Sequence, residues 1–280
     1  MQQSTDLTIA VRATYFAAAA LFRSSEETRY YLNGVCVERG RKGGGVNLLA
    51  TDGHHGAMIR DVEGFAAWPR PDKLPKDAES DLSRIVRCPP DLLKHCKAKS
   101  KEWGNCTRWV VVKPATIYVV IASDAKEAVE TIGDPARAEL VLHASFGSSL
   151  IDASYPDFRR VTPPRKVARS KLAPCFGLNT SLLGNFSAAA SLLSGDRDAH
   201  ACVRAPVDGV GPIWVATTSP DLIGVLMPMR CHDEAAVLGM AKDILDAPIG
   251  KAPPRPVKPK RPKLITPPKV DDAATVAIAA

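Results

Sequence analysis

A pattern of one strand, one helix and three strands recurs three times along the sequence, and this pattern constrains the fold most strongly. The three helical runs lie at 10–23, 89–101 and 180–193. A unit of this kind leaves one sheet face and one helix stripe apolar, so it must pair with another unit to bury both. We therefore predict an α+β fold built from paired units, in which the odd third unit requires a partner.

Local sequence signals predict where the helices and strands of each repeated unit lie. The alanine-rich first run predicts a helix over 10–23, and Pro89 and Pro90 open the second helix. Asn179 or Thr180 is the N-cap of the third. Strands are predicted by apolar runs bounded by turn residues, at 28–40, 45–64, 82–88, 108–113, 116–124, 127–132, 139–146, 173–179, 199–206, 211–218 and 222–230.

Positive charge is concentrated at the C-terminal end of the chain. The formal net charge is +7, and residues 251–280 contribute +5 of it through seven basic and two acidic side chains. This end is also rich in proline and has little to bury, which predicts a disordered basic tail over 248–280. A short amphipathic helix is predicted before it, over 233–247.

Cysteine usage and hydropathy predict a cytoplasmic protein with reduced thiols. The seven cysteines are odd in number and scattered, without any C-x-x-C pair. No run approaches the roughly 18 uncharged apolar residues of a membrane span, and the N-terminus lacks the order of a secretory signal.

Four segments resemble, in order and at plausible spacing, the bacterial sliding clamp, which is the beta subunit of DNA polymerase III. They are TRYYLNGV at 28–35, ATDGHHGA at 50–57, LIDASYPDFRRVTP at 150–163 and LIGVLMPMR at 222–230. The resemblance implies the DNA-clamp fold in a shortened form, without the family's first domain and without the first half of its last domain.

The resemblance also implies domain boundaries. Residues 1–165 correspond to one full clamp domain, the middle domain of the family, and residues 166–232 to the second half of the C-terminal domain. One full and one half domain account for the three repeated units.

In the family, the four segments form a groove that receives short peptides of polymerases and other replication proteins. Apolar walls and two polarizable methionines suit several different peptides, and arginines suit their carbonyl or carboxylate groups. A glycine at position 56, where the family usually has a bulky apolar residue, predicts the loss of one wall. The residues implied are Leu32, Thr51, Gly53, His54, His55, Pro156, Arg160, Val161, Val225, Leu226, Met227, Pro228, Met229 and Arg230.

The resemblance further implies double-stranded DNA as a partner, because the helices of the family face the DNA and carry basic residues. A solvated helix face is the alternative for the lysines. The candidate contacts on helices are Arg12, Arg23, Lys94, Lys97, Lys99 and Lys101, and those in the tail are Lys258, Lys260, Arg261 and Lys263. A clamp loader, and either a homo-oligomer or association with a host clamp, are the other implied partners.

Three interpretations of the function stay open. The chain is either a processivity or tethering factor, of phage or mobile-element type, or a clamp mimic that regulates the host clamp without encircling DNA. A third uses the fold only as a scaffold for a basic DNA-binding tail. The extension after Arg230 either covers the groove or caps a sheet edge. No combination of nucleophile, base and orienting residue is present, and we predict no enzymatic activity, cofactor or metal.

Overall fold

Antiparallel strands are the most numerous secondary-structure elements among the residues that the structure describes. The computed structural model describes residues 7–40, 44–67, 83–97, 106–134, 142–147, 150–160, 177–204 and 211–229. Its strands are β1 (Thr8–Arg12), β2 (Gly34–Arg39), β3 (Val46–Thr51), β4 (His55–Asp61), β5 (Phe65–Ala67), β6 (Ser83–Arg87), β7 (Thr107–Val112), β8 (Thr116–Ala122), β9 (Leu142–Gly147), β10 (Leu150–Ile151), β11 (Ala201–Arg204), β12 (Ile213–Thr217) and β13 (Leu222–Leu226).

Four α-helices and three short 3-10 helices lie between these strands in the described ranges. The α-helices are α1 (Ala13–Ala19), α2 (Pro90–Lys97), α3 (Ala125–Gly133) and α4 (Thr180–Ser194). The 3-10 helices are Ala20–Phe22, Glu27–Leu32 and Phe158–Arg160.

The strands form two antiparallel sheets. A five-stranded sheet has the order β5-β1-β7-β8-β9, and an eight-stranded sheet has the order β10-β6-β2-β3-β4-β13-β12-β11. The pair β4–β13 joins strands that are more than 160 residues apart, with Val225 opposite Gly56 and Leu226 opposite His55. The three C-terminal strands therefore extend the sheet built by the earlier part of the chain.

The main core lies between the sheets and the helices α1, α2 and α4. Small side chains let α1 and α4 approach closely, since Ala17 and Ala18 of α1 and Ala189 and Ala190 of α4 are fully buried. Phe186 of α4 is fully buried against Gly224 of β13. We call the opposite face of the eight-stranded sheet, away from α1 and α4, the outer face.

The predicted α+β class is confirmed, with two antiparallel sheets and few helices. The helix predicted from Pro90 is confirmed, and so is the third helix, whose N-cap is Asn179 because its side chain accepts from the Ser181 N–H at 3.0 Å. The second of the apolar runs, 45–64, forms β3 and β4 on either side of a turn.

Three local predictions were wrong. The first helix begins at Ala13, because Ala10–Arg12 belong to β1 in the interior of the five-stranded sheet. The run 28–32 lies in a 3-10 helix. The run 127–132 lies in α3 rather than in a strand. Asp124 accepts from the Glu127 N–H, and the Glu127 carboxylate accepts from Ser123, a capping arrangement that outweighs the β-branched residues.

The predicted domain boundaries fall outside the described residues, since 165 and 166 lie in the undescribed range 161–176. Every described residue belongs to one structural unit, which ends at position 232. The predicted helix at 233–247 and the predicted tail at 248–280 lie outside the described residues. Among the helices that are described, none is long and apolar enough to cross a membrane.

Candidate functional site

The turn between β3 and β4 is the centre of the candidate site. Gly53 has φ +91, a conformation that favours glycine. The Asp52 carboxylate accepts from the backbone N–H groups of His54 and His55, both at 2.8 Å. Burial would raise the pKa of Asp52, but its contacts with the His55 imidazole and these N–H groups together lower it to about 2. The turn therefore has a fixed, ionised anchor at neutral pH.

His55 holds this turn to the helices. Its Nε2 lies 3.0 Å from Asn185 Nδ2, which also donates to the Leu21 carbonyl at 3.3 Å. Because an amide nitrogen only donates, Nε2 accepts from Asn185, and the other ring nitrogen, Nδ1, lies 2.9 Å from Asp52 Oδ1. The ring packs between Phe22 and Phe186 at centroid distances of 5.1 and 6.0 Å.

The segment 150–160 crosses the outer face beside the turn. The Tyr155 hydroxyl accepts from the Thr51 N–H at 2.9 Å. Phe158 is 4% exposed and packs with Val225. Arg159 holds the segment in place through two contacts with the Glu38 carboxylate, at 2.7 and 3.3 Å.

Phe158 occupies the space that the glycine at 56 leaves. A Cβ at this position would lie 2.9 Å from Phe158 Cε2 and 3.0 Å from Thr51 Cβ. The sequence predicted that the glycine removes a wall of the site. The structure corrects this prediction, because the Phe158 ring stands directly against Gly56 and forms a wall there.

The Met-Pro-Met run extends β13 past the turn. The Met227 N–H donates to the His54 carbonyl at 2.8 Å, and Met229 exchanges two backbone hydrogen bonds with Gly177, at 2.9 and 3.1 Å. Both methionine side chains remain exposed, at 41% and 55%. Since Pro228 has no N–H, the run offers its side chains rather than a continuous strand edge.

These elements build one apolar surface on the outer face. It joins the ends of β3 and β4, the segment 150–160 and the strands β12 and β13, and Met227 is its most exposed member. We define this outer apolar surface as Met58, Tyr155, Phe158, Trp214, Val225 and Met227.

The predicted groove residues divide into three groups. Thr51, Gly53, His54, Pro156, Arg160, Met227, Pro228 and Met229 are exposed or half-buried near this surface, and Val225 is a buried part of it. Leu32, His55 and Leu226 are corrected to buried positions, because His55 and Leu226 point toward the helices and Leu32 is 4% exposed. Val161 and Arg230 lie outside the described residues.

Sequence reasoning missed four residues of the surface. Tyr155 and Phe158 lie inside the motif at 150–163, next to residues that were selected. Met58 and Trp214 lie on strands that were predicted. The pairing of β12 and β4 with β13 places Trp214 and Met58 on the same face as Val225. Alternation along each strand alone does not fix that shared face, because it does not set the register between strands.

The predicted DNA contacts do not form one cationic face in the described residues. Arg12 is corrected to a structural role, because its guanidinium contacts the fully buried Asp61 at 2.8 Å and stacks on the Tyr15 ring at 3.8 Å. Arg23 donates to the Ala20 carbonyl. Lys94 and Lys97 are exposed on α2, where Lys94 pairs with Asp91 at 2.8 Å. Lys99, Lys101, Lys258, Lys260, Arg261 and Lys263 lie outside the described residues.

No protein-family model matches the sequence, and no curated protein matches it. Solved bacterial sliding clamps have similar structures. A Caulobacter crescentus beta sliding clamp is 20% identical, with 82% of this chain and 68% of that chain covered at a TM-score of 0.40. The Bartonella birtlesii clamp is 17% identical with the same coverage, at 0.43. The Borrelia burgdorferi DNA polymerase III subunit beta is 13% identical, with 82% and 64% covered, at 0.43.

The similar structures come from the family that the four sequence motifs resemble. In the described part of the chain, no group of three or more His, Cys, Asp or Glu side chains is placed to hold a metal ion.

Proposed function

We propose that this chain is a tethering protein of sliding-clamp type, which holds short linear segments of DNA polymerases and other replication proteins on its outer apolar surface. One observation carries the proposal: the four motifs, which are far apart in the sequence, meet at residues 50–57. Arg29 approaches the Asp52 carbonyl at 3.5 Å, Tyr155 and Phe158 contact Thr51 and Gly56, and β13 pairs with β4.

The surface has the chemistry to bind an apolar peptide. Met227 and Met229 are exposed, flexible and polarizable, which suits partners with different side chains. Arg160, the last residue of the segment 150–160, is 86% exposed and can hydrogen-bond to a peptide carbonyl or carboxylate. Burying one leucine and one phenylalanine is worth roughly 3–6 kcal/mol before ordering costs, so micromolar affinity is expected.

Met227→Ala is expected to weaken peptide binding by about 5- to 30-fold, because truncating a central contact of an interface costs about 1–2 kcal/mol. Fluorescence anisotropy of a labelled peptide with one leucine and one phenylalanine measures the effect. Val62→Ala is the matched control, since Val62 is an exposed apolar residue at the turn after β4. Equal affinities for the two variants would show that the outer apolar surface is not the peptide site.

The same proposal includes the remaining expectations from the resemblance. Double-stranded DNA, a clamp loader, and a second copy of the chain or a host clamp are the proposed partners, and the cytoplasm is the proposed location. A phage or mobile-element origin is part of the proposal as well.

A second candidate is a clamp mimic that competes for the same peptides without encircling DNA. The charge distribution of the described helices favours it. The fifteen residues of α4 include no basic side chain, and Arg12 beside α1 is held by Asp61.

Retention on closed circular DNA separates the two candidates. With ATP and a bacterial clamp loader, an encircling protein is expected to stay on a closed circle through gel filtration and to be lost after the circle is cut. A mimic is expected to be absent from the closed circle while its affinity for the peptide persists.

A further inference from the structure

The outer face continues past the outer apolar surface as a strip that ends in an arginine on each side. Directly opposite residues of antiparallel strands point to the same face. One row across β11, β12, β13 and β4 is Arg204, Trp214, Val225 and Gly56, and the next row is Cys202, Ala216, Ile223 and Met58. Arg60 lies two residues beyond Met58 on the same face of β4.

This strip is exposed, although a large part of it is apolar. Ile223 is 37% exposed, and Cys202, Ala216, Arg60 and Arg204 are exposed as well. On the opposite side of the same strand, Leu222 and Gly224 are buried. We define the arginine-flanked strip as Arg60, Cys202, Arg204, Ala216 and Ile223.

The charge of this strip has one sign. Along β4, β11, β12 and β13, the outward positions hold Arg60 and Arg204 and no carboxylate. Asp61, the next residue after Arg60, is fully buried on the other face. On β2, Glu38 already contacts Arg159. The two arginines thus face solvent beside an apolar floor.

The spacing of the two arginines matches a short extended peptide. They are three strand spacings apart across the sheet and four residues apart along it, which gives a separation of about 20 Å. Six extended residues span about 20 Å at roughly 3.3 Å each. Ile223 and Met58 lie between them.

We propose that the arginine-flanked strip is the second half of the peptide site and binds an acidic continuation of the partner segment. The inference rests on the proposed function, because the apolar part of that segment occupies the outer apolar surface. An amphipathic acidic peptide complements both features of the strip, the apolar floor and the two cations. A nucleic-acid backbone complements the cations but has no apolar group to cover Ile223.

The test compares extensions of one labelled peptide that carries a leucine and a phenylalanine. The peptide is used alone, or extended at either end by alternating aspartate and serine, asparagine and serine, or lysine and serine. At about 50 mM salt, the acidic extension is expected to tighten binding about three- to tenfold over the asparagine extension. This gain should fall steeply at about 300 mM salt, because the contacts are exposed.

Charge-reversal variants test whether the tighter binding of the acidic extension depends on the arginine-flanked strip. Arg60→Glu and Arg204→Glu are each expected to remove this gain and to favour the lysine extension instead. Lys126→Glu is the matched control, since Lys126 is 86% exposed on α3, which packs on the five-stranded sheet. This variant should keep the gain. Ile223→Ser should weaken the extended peptides and leave the unextended peptide unchanged.

Three outcomes decide against the inference. If the acidic and asparagine extensions bind equally well and Met227→Ala still weakens peptide binding, the proposal for the strip is wrong and the proposed function stands. No binding of any peptide overturns both. If a labelled DNA duplex binds and Arg60→Glu abolishes its binding while acidic peptides gain nothing, the strip is a nucleic-acid contact and the proposal is wrong.

Discussion

Gly224→Ala is expected to lower the free energy of unfolding by about 3 kcal/mol, because it inserts a methyl group into a filled core. The added Cβ would overlap the Phe186 ring, with Cδ1 and Cζ at 2.9 Å. Phe186 is fully buried, and its ring also contacts Phe22 at a centroid distance of 4.8 Å. The ring has no free direction in which to move, so α4 must shift away from β13.

Urea unfolding of wild type and variant measures this change in stability. Gly184→Ala is the matched control, because Gly184 lies in α4 and an added Cβ there meets no atom within 4 Å. This control should gain about 0.5–1 kcal/mol from helix propensity. In a Phe186→Leu background the cost of Gly224→Ala should fall below about 1 kcal/mol. A full cost in that background would place the strain somewhere other than the Phe186 ring.

Asp61→Ala is expected to destabilise the fold by about 3–5 kcal/mol, because it leaves a largely buried arginine without its counter-ion. Asp61 is fully buried and accepts from the Arg12 backbone N–H and from its Nε, both at 2.8 Å. Arg12 is only 18% exposed. Glu63 is the other carboxylate in contact with it, at 3.4 Å, and is itself 58% exposed.

Asp91→Ala provides the comparison, since the Asp91–Lys94 pair has the same 2.8 Å separation on an exposed helix surface. Its removal should leave the stability close to that of the wild type, because exposed ion pairs contribute little. Chemical denaturation of both variants gives the two values. Similar small losses would mean that the Arg12–Asp61 pair is as well solvated as the surface pair. In that case Arg12 would again be a candidate for DNA contact.

Arg12 illustrates why charge alone does not identify a nucleic-acid site. The basic residue beside the first helix has the sequence environment of a DNA contact. Its acidic partner is 49 residues away, at the end of β4. The two charges come together in the folded chain, where β5, the strand that follows β4, pairs with β1. Arg12 therefore stabilises the fold and is not a free surface cation.

Much of the candidate site was predicted from the sequence. The motifs at 50–57, 150–163 and 222–230 were selected as one site, and they do meet in space. The prediction of individual site residues was less accurate. Leu226 and Met227 are adjacent in the sequence, yet one is fully buried and the other is 41% exposed. The alternation of side chains along a strand places two successive residues on opposite faces, but it does not show which of the two faces the core.

Local capping chemistry was present in the sequence and was overlooked. The run 127–132 contains valine, threonine and isoleucine, which favour a strand in isolation. Asp124 and Glu127 stand three residues apart, the spacing of a capping box, and this pair makes α3 a helix. A stricter use of helix-start signals would have corrected the prediction.

The sequence by itself determined the α+β class, the positions of most strands, the start of α2, the limits of α4, and the segments that form the site, because alternation, capping and turn chemistry act over a few neighbouring residues. The tertiary structure decided the pairing of β4 with β13, the seating of Phe158 against Gly56 and of Phe186 against Gly224, and the arginine-flanked strip. Each of these depends on contacts between residues distant in the chain, and their geometry is set by packing volume and not by local preference.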